Sequence, residues 1–354
     1  MAGAFCVPSE GATQMIDAAL DRMPEIVQED IGRRGLRTDP ACNLITVTAG
    51  DFQRACRSLA RNASPGVAIV TGFLIPTAEP PAGETDGPLG AVFLARALVP
   101  LRFRVALVSD AFCIPALKAG LVACGMQDRV AVVALPEPAA AQQMASDGYY
   151  RAFLRSVAGL SLRHLLTIER VGPSHTPASV AAQPATCNDI REFDAEVAQE
   201  HRDRCHTMRG VDITDQMSPA HWLFEAARRD RFVSTIGIGD GGNEIGMGRI
   251  GWSVIRRNIP RGGMVACRVA TDHLIVAGVS NWGAYALAAG VLLLRGEKGD
   301  ADLFDDDRER ELLRVMVERG PLVDGVTGRP MATVDGLTWE QYVEPLVAMG
   351  RLLR

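Results

Sequence analysis

The sequence predicts an α/β protein with three αβα layers, a mostly parallel sheet and an additional N-terminal helical arm. Two observations lead to this prediction. Short continuous apolar runs, which are typical of strands buried on both faces, alternate with helical patterns along much of the chain. The composition, 47% hydrophobic and 22% charged over 354 residues, is that of a globular protein. This length accommodates one large domain, so we assign residues 1–40 to a helix and arm and residues 41–354 to a single domain.

The elements follow from the spacing of apolar residues. Residues 14–34 and 48–63 have helical spacing, and the first of these segments forms the arm. The apolar runs predict strands at 66–72, 103–108, 130–135, 164–168, 231–236, 265–270 and 274–279. Helical patterns predict helices at 89–98, 113–124, 139–157, 189–201, 219–229 and 339–352, with one more after Ser280 and one ending at 317.

A glycine-rich segment follows the predicted strand at 231–236. Five glycines lie within residues 237–246, together with Asp240, Asn243 and Glu244. The glycine spacing matches a dinucleotide fingerprint, but no acidic residue follows within 245–271, and two carboxylates would repel a pyrophosphate. We therefore expect no nucleotide. A loop that gathers a cation or an amine fits better, and a simple turn in which Asp240 caps a helix remains the alternative.

Charged residues recur just after predicted strands. The set comprises Glu84, Asp86, Asp110, Glu169, Arg170, Asp240 and Glu244. Ligands of parallel α/β sheets bind beyond the carboxyl ends of the strands, so these residues mark a candidate site. Carboxylate oxygens are ligands for hard cations, so we expect a Mg²⁺, Mn²⁺ or Ca²⁺ site. Its predicted ligands are Glu84, Asp86, Asp240 and Glu244.

Charge and composition also bear on partners and location. The net charge of −5 and the lack of a long basic run argue against nucleic acid as a partner. The uncharged segment 274–294 is interrupted by glycine and polar residues, so we expect a strand, a turn and a helix there, with no membrane span. The 8 scattered cysteines and the absence of a recognisable targeting segment predict a cytoplasmic protein. Homo-oligomerisation is left open.

Five stretches resemble the D-glutamate cyclase family, specifically the domain at the C-terminal end of its larger animal members. They are Thr71-Gly72-Phe73, Glu84-Thr85-Asp86-Gly87-Pro88-x-Gly90-Ala91, Ile168-Glu169-Arg170-x-Gly172, Gly237-x-Gly239-Asp240-Gly241-Gly242-Asn243-Glu244-x-Gly246-Met247-Gly248 and Ala277-Gly278-Val279-Ser280-Asn281-Trp282-Gly283. They run in order between about residues 43 and 336. One departure is Cys205-His206, where we expect an aromatic pair in relatives.

The resemblance implies a hydro-lyase that converts D-glutamate to 5-oxo-D-proline and water, and hence a small acidic metabolite as its partner. Glu169 and Glu244 are the candidate base and acid, and Asp240 is a third catalytic candidate. Arg170 is the candidate for holding a carboxylate. The remaining candidate substrate-binding residues are Thr71, Asn243, Ser280, Asn281 and Trp282.

Two alternatives from other classes remain open on the sequence. One is a metal-dependent hydrolase of a small phosphate or amide, in which the acidic cluster serves only the metal. The other is a non-catalytic binder of an acidic metabolite.

Overall fold

A parallel sheet forms the centre of the protein. The computed structural model describes residues 10–61, 65–184, 186–230 and 232–354. Six strands of the described chain form this sheet: β1 (Gly66–Thr71), β4 (Arg104–Ser109), β5 (Val130–Ala134), β6 (Leu162–Ile168), β7 (Ser234–Gly239) and β8 (His273–Val276). They pair in parallel in the order β5-β4-β1-β6-β7-β8. The short strands β2 (Leu74–Ile75) and β3 (Ala82–Gly83) pair antiparallel beside it. The expected mostly parallel sheet is confirmed.

Helices cover both faces of the sheet, which confirms the three-layer architecture. One side carries α1 (Glu10–Val27), α2 (Asp51–Ala60), α3 (Pro88–Leu98), α4 (Ile114–Ala123), α12 (Ser280–Arg295), α13 (Asp306–Arg319) and α14 (Trp339–Leu352). The other carries α5 (Pro138–Gln142), α6 (Ser146–Ser156), α7 (Pro177–Ala181), α8 (Cys187–Glu196), α9 (His221–Ala227) and α10 (Trp252–Asn258), with α11 (Gly262–Val265) beside α10.

The strands are apolar throughout because each face of the sheet belongs to a core. In β1, Val67 and Ile69 pack into one hydrophobic cluster, and Ala68 and Val70 pack into the other. Successive side chains of a strand point to opposite faces, so two covered faces need a continuous apolar run. Helix α1 buries Leu20 in the first of these clusters, so the arm shares the core of the sheet domain.

Segment 274–294 forms β8, a turn and α12. Helix α12 lies almost entirely inside the first core, which explains its apolar composition. Within the described ranges, no helix is long and apolar enough to cross a membrane.

The expected strand at 265–270 is wrong. Helix α11 occupies its first residue, and the chain then runs irregularly. The N–H groups of Cys267 and Arg268 donate to the carbonyl oxygens of Gly242 and Pro173, so they brace two loops and join no sheet ladder. The expected helix at 139–157 is two helices, α5 and α6. The expected strand at 231–236 begins at Ser234 as β7, and residue 231 lies outside the described residues.

Candidate active site

A cavity of about 160 Å³ lies beyond the carboxyl ends of β1, β6 and β7. Of the candidate site residues, Glu84, Glu169, Asp240 and Asn243 line it. Its other lining residues are Arg34, Phe73, Ile75, Pro76, Thr77, Thr207, Met208, Arg209, Val211, Gly325, Val326 and Asp335. One water needs about 10–15 Å³ of such space, so the cavity can hold a small metabolite. The lining of the cavity combines apolar side chains with four carboxyl groups.

Glu169 is the first residue after β6 and points its carboxylate toward helix α12. Its backbone has a positive φ of 45°, and its N–H donates to the carbonyl oxygen of Ile238. The hydroxyl of Ser280, the first residue of α12, donates to Glu169 Oε2 at 2.6 Å. Burial, followed by the negative charge of Asp240, raises the pKa of Glu169 well above its ordinary value. The protonated form of Glu169 is therefore favoured.

Glu244 holds the glycine loop in shape. Its Oε1 accepts the N–H groups of Asp240 and Gly241 at 3.0 and 2.6 Å, and its Oε2 accepts the N–H of Gly242 at 2.7 Å. Gly242 has a φ of 101°, a conformation that favours glycine. Glu244 is fully buried and does not line the cavity. These bonds position Asp240, whereas the expected acid or base role of Glu244 stays a prediction.

Asp240 faces a cation that comes from the N-terminal arm. Arg34 Nη1 forms an ion pair with Asp240, and Arg34 Nη2 lies 2.8 Å from Asp335 Oδ1. Burial raises the pKa of Asp240, and the charge of Arg34 opposes that rise. Burial would lower the pKa of Arg34, but the charges of Asp240 and Asp335 outweigh it and raise that pKa. Arg34 is therefore a permanent cation in the site.

Glu84 and Asp86 occupy different positions. Glu84 lines the cavity, and burial, followed by the charge of Asp335, raises its pKa. Asp86 lies behind the wall, where its Oδ2 and Oδ1 accept the N–H groups of Ser280 and Asn281 at 2.9 and 2.8 Å. Burial raises the pKa of Asp86 to about 7. Asp86 thus caps helix α12 while adding to the acidic cluster.

Two carboxylate triplets have the geometry to hold a metal ion among the described residues. They are Asp86, Asp240 and Asp335, and Glu169, Asp240 and Glu244, each with ligand oxygens within 4.8 Å of one another. Asp240 belongs to both triplets, and Glu84 belongs to neither. Carboxylate oxygens alone suit a hard divalent cation, although Arg34 already neutralises part of this charge.

Arg170 lies inside the fold, away from the cavity lining. Its guanidinium pairs with Asp110 and donates to the carbonyl oxygens of Gly72 at 3.0 Å and Ser218 at 2.7 Å. It therefore ties together the loops after β1, β4 and β6. A carboxylate-binding role for Arg170 stays a prediction.

The Ser-Asn-Trp segment supports the site from behind. Asn281 Oδ1 accepts the N–H groups of Gly87 and Gly90, both at 2.8 Å, and so fixes the start of α3. Trp282 Nε1 donates to the carbonyl oxygen of Tyr342 at 2.8 Å. Thr71 is buried at the end of β1, beside Gly87. Like Ser280, these side chains do not line the cavity, and their expected contact with substrate stays a prediction.

Cys205-His206 supports one wall of the cavity. Both residues are buried, and the carbonyl oxygen of His206 accepts a hydrogen bond from Asn243 Nδ2 at 2.8 Å. The next two residues, Thr207 and Met208, line the cavity. This segment therefore connects the wall to the glycine loop.

Sequence reasoning missed two charged residues of the site. The sequence places Arg34 in the N-terminal arm and does not indicate Asp335 as a site residue. The signal for Arg34 was the Gly32-Arg33-Arg34-Gly35 segment, which breaks the helical pattern. Asp335 sits between Val334 and Gly336 with a positive φ of 55°, as Asp tolerates in turns. Neither local feature indicates a ligand-binding residue by itself, because that role becomes visible only from the tertiary contacts.

Comparison with known proteins identifies a family. A family model described as "D-glutamate cyclase-like, C-terminal" matches residues 23–349. The chain is 30% identical over 242 residues to a human protein named "D-glutamate cyclase, mitochondrial". That alignment covers 67% of this chain and 34% of the human protein, so it reaches about one third of the relative's length. The name of the human protein places that protein in mitochondria. A cytoplasmic location for this chain stays a prediction.

Solved structures give only distant similarity. A short-chain dehydrogenase/reductase from Serratia marcescens BCRC 10948 aligns at 16% identity with a TM-score of 0.25, over 61% of this chain and 98% of that one. A double mutant of a Serratia marcescens short-chain dehydrogenase/reductase aligns with the same coverage and identity at a TM-score of 0.24. Similarity at this level carries no argument about fold or function.

Proposed function

This chain belongs to the D-glutamate cyclase-like family, and we propose that it is a hydro-lyase that converts D-glutamate to 5-oxo-D-proline and water. In this reaction the α-amine attacks the side-chain carboxyl carbon of the same molecule. A carbon–nitrogen bond forms and a carbon–oxygen bond breaks. The ammonium nitrogen loses two protons and the leaving carboxylate oxygen gains two, so that oxygen departs as water. The site must therefore accept protons from nitrogen and deliver protons to oxygen.

The observation that carries the proposal is the placement of two carboxyl groups with different partners, Glu169 and Asp240, in one cavity. Burial and the charge of Asp240 both raise the pKa of Glu169, which favours its protonated form. Burial raises the pKa of Asp240 as well, but the adjacent Arg34 cation opposes that rise and favours the ionised form of Asp240. The difference in partners, a hydroxyl for Glu169 and a guanidinium for Asp240, divides the acid and base roles between them.

These environments assign the two proton transfers. Asp240 accepts the first proton of the substrate ammonium, and the protonated Glu169, oriented by the Ser280 hydroxyl, donates to the leaving carboxyl oxygen. Transfer of the second nitrogen proton to Glu169 and of the Asp240 proton to the leaving oxygen restores both groups and releases water. A cavity of about 160 Å³ holds the five-carbon substrate folded back on itself. Holding the amine near the carboxyl carbon supplies much of the acceleration through proximity.

A divalent cation is a further part of the proposal. Asp86, Asp240 and Asp335 would hold it, because their oxygens come within 4.8 Å of one another. When bound, such an ion would polarise the substrate carboxyl group. Asp240 belongs both to this carboxylate set and to the proton-transfer pair, so cation binding is tested by its effect on stability, apart from the reaction.

The reaction is tested by incubating the purified protein with D-glutamate or L-glutamate, with and without Mn²⁺, and separating the products by chiral chromatography. We expect 5-oxo-D-proline from D-glutamate at a faster rate than product from L-glutamate. Glu169→Gln should reduce the rate by about 10²- to 10⁴-fold, the usual contribution of a general acid. Failure to form 5-oxoproline in an enzyme-dependent manner with metal present would overturn the cyclase proposal.

A further inference from the structure

We propose that Arg34, supplied by the N-terminal arm, binds the α-carboxylate of the substrate and so determines specificity for an α-amino acid. This inference rests on the proposed cyclase function. Of the described residues that line the cavity, Arg34 and Arg209 are the basic ones. Arg209 is exposed, and its Nη2 donates to the carbonyl oxygen of Val326. Arg34 lies deeper, with its side chain 20% exposed.

The arm is built to hold Arg34 in one place. Asp30 accepts the backbone N–H groups of Arg34 and Gly35 at 2.8 Å each, and that of Leu36 at 3.0 Å. Gly35 has a φ of 96°, and a Cβ there would collide with the carbonyl oxygen of Asn258. Asp30 therefore holds this turn of the arm in shape, and the close approach of Gly35 to Asn258 packs the turn against the sheet domain.

The guanidinium is also oriented by its partners. Nη1 pairs with Asp240 and Nη2 with Asp335. A guanidinium carries five N–H groups, so two ion pairs leave donors for a further carboxylate. A charged arginine held by two carboxylates presents those donors in a fixed geometry, as recognition of a planar carboxylate requires.

The chemistry of the substrate indicates which carboxylate binds here. The α-carboxylate keeps its charge throughout the reaction, whereas the side-chain carboxyl group is consumed. The α-carboxylate and the amine share one carbon, so binding at Arg34 places the amine beside Asp240. The side-chain carboxyl group then extends toward Glu169, which lines the same cavity. Arg34 is better placed for this contact than Arg170, which does not line the cavity and whose guanidinium pairs with Asp110 and with two backbone carbonyl oxygens.

The test compares D-glutamate with 4-aminobutyrate, which keeps the amine and the terminal carboxylate but lacks the α-carboxylate. Binding of each compound to the wild type, Arg34→Gln and Arg34→Lys is measured by isothermal titration calorimetry. We expect the wild type to prefer D-glutamate by about 10- to 100-fold, the range for hydrogen bonds to a charged group. Arg34→Gln should lose that preference, and Arg34→Lys should retain only part of it because lysine lacks the planar fork.

The matched control is Arg33→Gln, which removes the same chemical group from an exposed neighbouring residue and should leave the preference unchanged. A purely structural role of Arg34 would weaken binding of both compounds and keep their ratio, and that result overturns the assignment. If Arg34→Gln does not fold, Arg34→Lys supplies the test. An Arg34→Lys variant with the wild-type preference for D-glutamate over 4-aminobutyrate overturns the assignment of Arg34. D-glutamate binding with no 5-oxoproline formed rejects the cyclase function alone, whereas no D-glutamate binding by the wild type rejects both proposals.

Discussion

Ser280 donates its hydroxyl hydrogen to Glu169 Oε2 across 2.6 Å, and so joins the start of α12 to the end of β6. Both residues are buried, so the bond is shielded from competing water. A donor to a carboxylate stabilises its ionised form and fixes its orientation.

The first prediction follows from this contact. Ser280→Ala removes the donor, so the pKa of Glu169 should rise further, and the alkaline limb of the pH–rate profile should move to higher pH. Loss of orientation should lower kcat by about 10-fold, the usual effect of one hydrogen bond to a charged group. Ser58→Ala, in helix α2 and away from the cavity, is the control. A pH–rate profile identical to that of the wild type would show that Ser280 has no such role.

A second prediction concerns Glu244 and the stability of the glycine loop. Glu244→Gln leaves one oxygen for three backbone donors and turns an amide NH₂ toward the loop. At least one buried N–H loses its partner, so the free energy of unfolding should fall by about 1–3 kcal/mol. Urea denaturation measures this change, and the exposed Glu297→Gln should be neutral. An unchanged urea midpoint would refute the supporting role of Glu244.

A third prediction concerns Glu309, which is fully buried in the first core. Tyr285 donates to Glu309 Oε1 at 2.7 Å, and Arg96 Nη1 lies 3.6 Å from Oε2. Burial raises the pKa of Glu309 from 4.5 to about 7. The folded state therefore binds this proton more tightly than the unfolded state, and the resulting stability is present below pH 4.5 and lost as the pH rises through about 7.

Glu309→Gln cannot titrate, so its free energy of unfolding should fall less between pH 5 and pH 8 than that of the wild type. The difference should be on the order of 3 kcal/mol. Urea denaturation at several pH values measures it. Glu318→Gln, at an exposed position of the same helix, should follow the wild type. Equal pH dependence in the wild type and Glu309→Gln contradicts the prediction.

The fourth prediction concerns the divalent cation. Mn²⁺ should raise the melting temperature of the wild type, because an ion that binds only the folded state stabilises it by about 2.7 kcal/mol at 100 times its Kd. Asp240→Asn keeps the volume and removes one ligand charge from both carboxylate triplets, so its shift should be smaller. Asp128→Asn, at an exposed position, is the control. No rise in the wild type, or the same rise in Asp240→Asn, would leave the acidic cluster as a capping and turn feature.

The sequence by itself determined the six parallel strands at the centre of the fold and the edge of the sheet at which the cavity lies, although it also predicted a strand at 265–270 that does not form. The strands at the centre are continuous apolar runs because both faces are covered, and this pattern is local. The glycine loop after β7 and the carboxylate after β6 could be placed in the same way, since the carboxyl ends of parallel strands meet at one edge. Glu169, Asp240 and Asn243 line one cavity at that edge.

Tertiary structure alone decided which charged groups face the cavity. Arg34 and Asp335 come from opposite ends of the chain and meet at Asp240, a contact that no local pattern encodes. Arg170 follows the same strand as Glu169, yet its side chain turns into the fold because Asp110 and two carbonyl oxygens are there to receive it. Burial makes an unpaired charge costly, so each buried side chain takes the orientation that gives it partners. Those partners come from segments that are distant in the sequence and are brought together by packing. The sequence pattern around a single residue therefore does not reveal them.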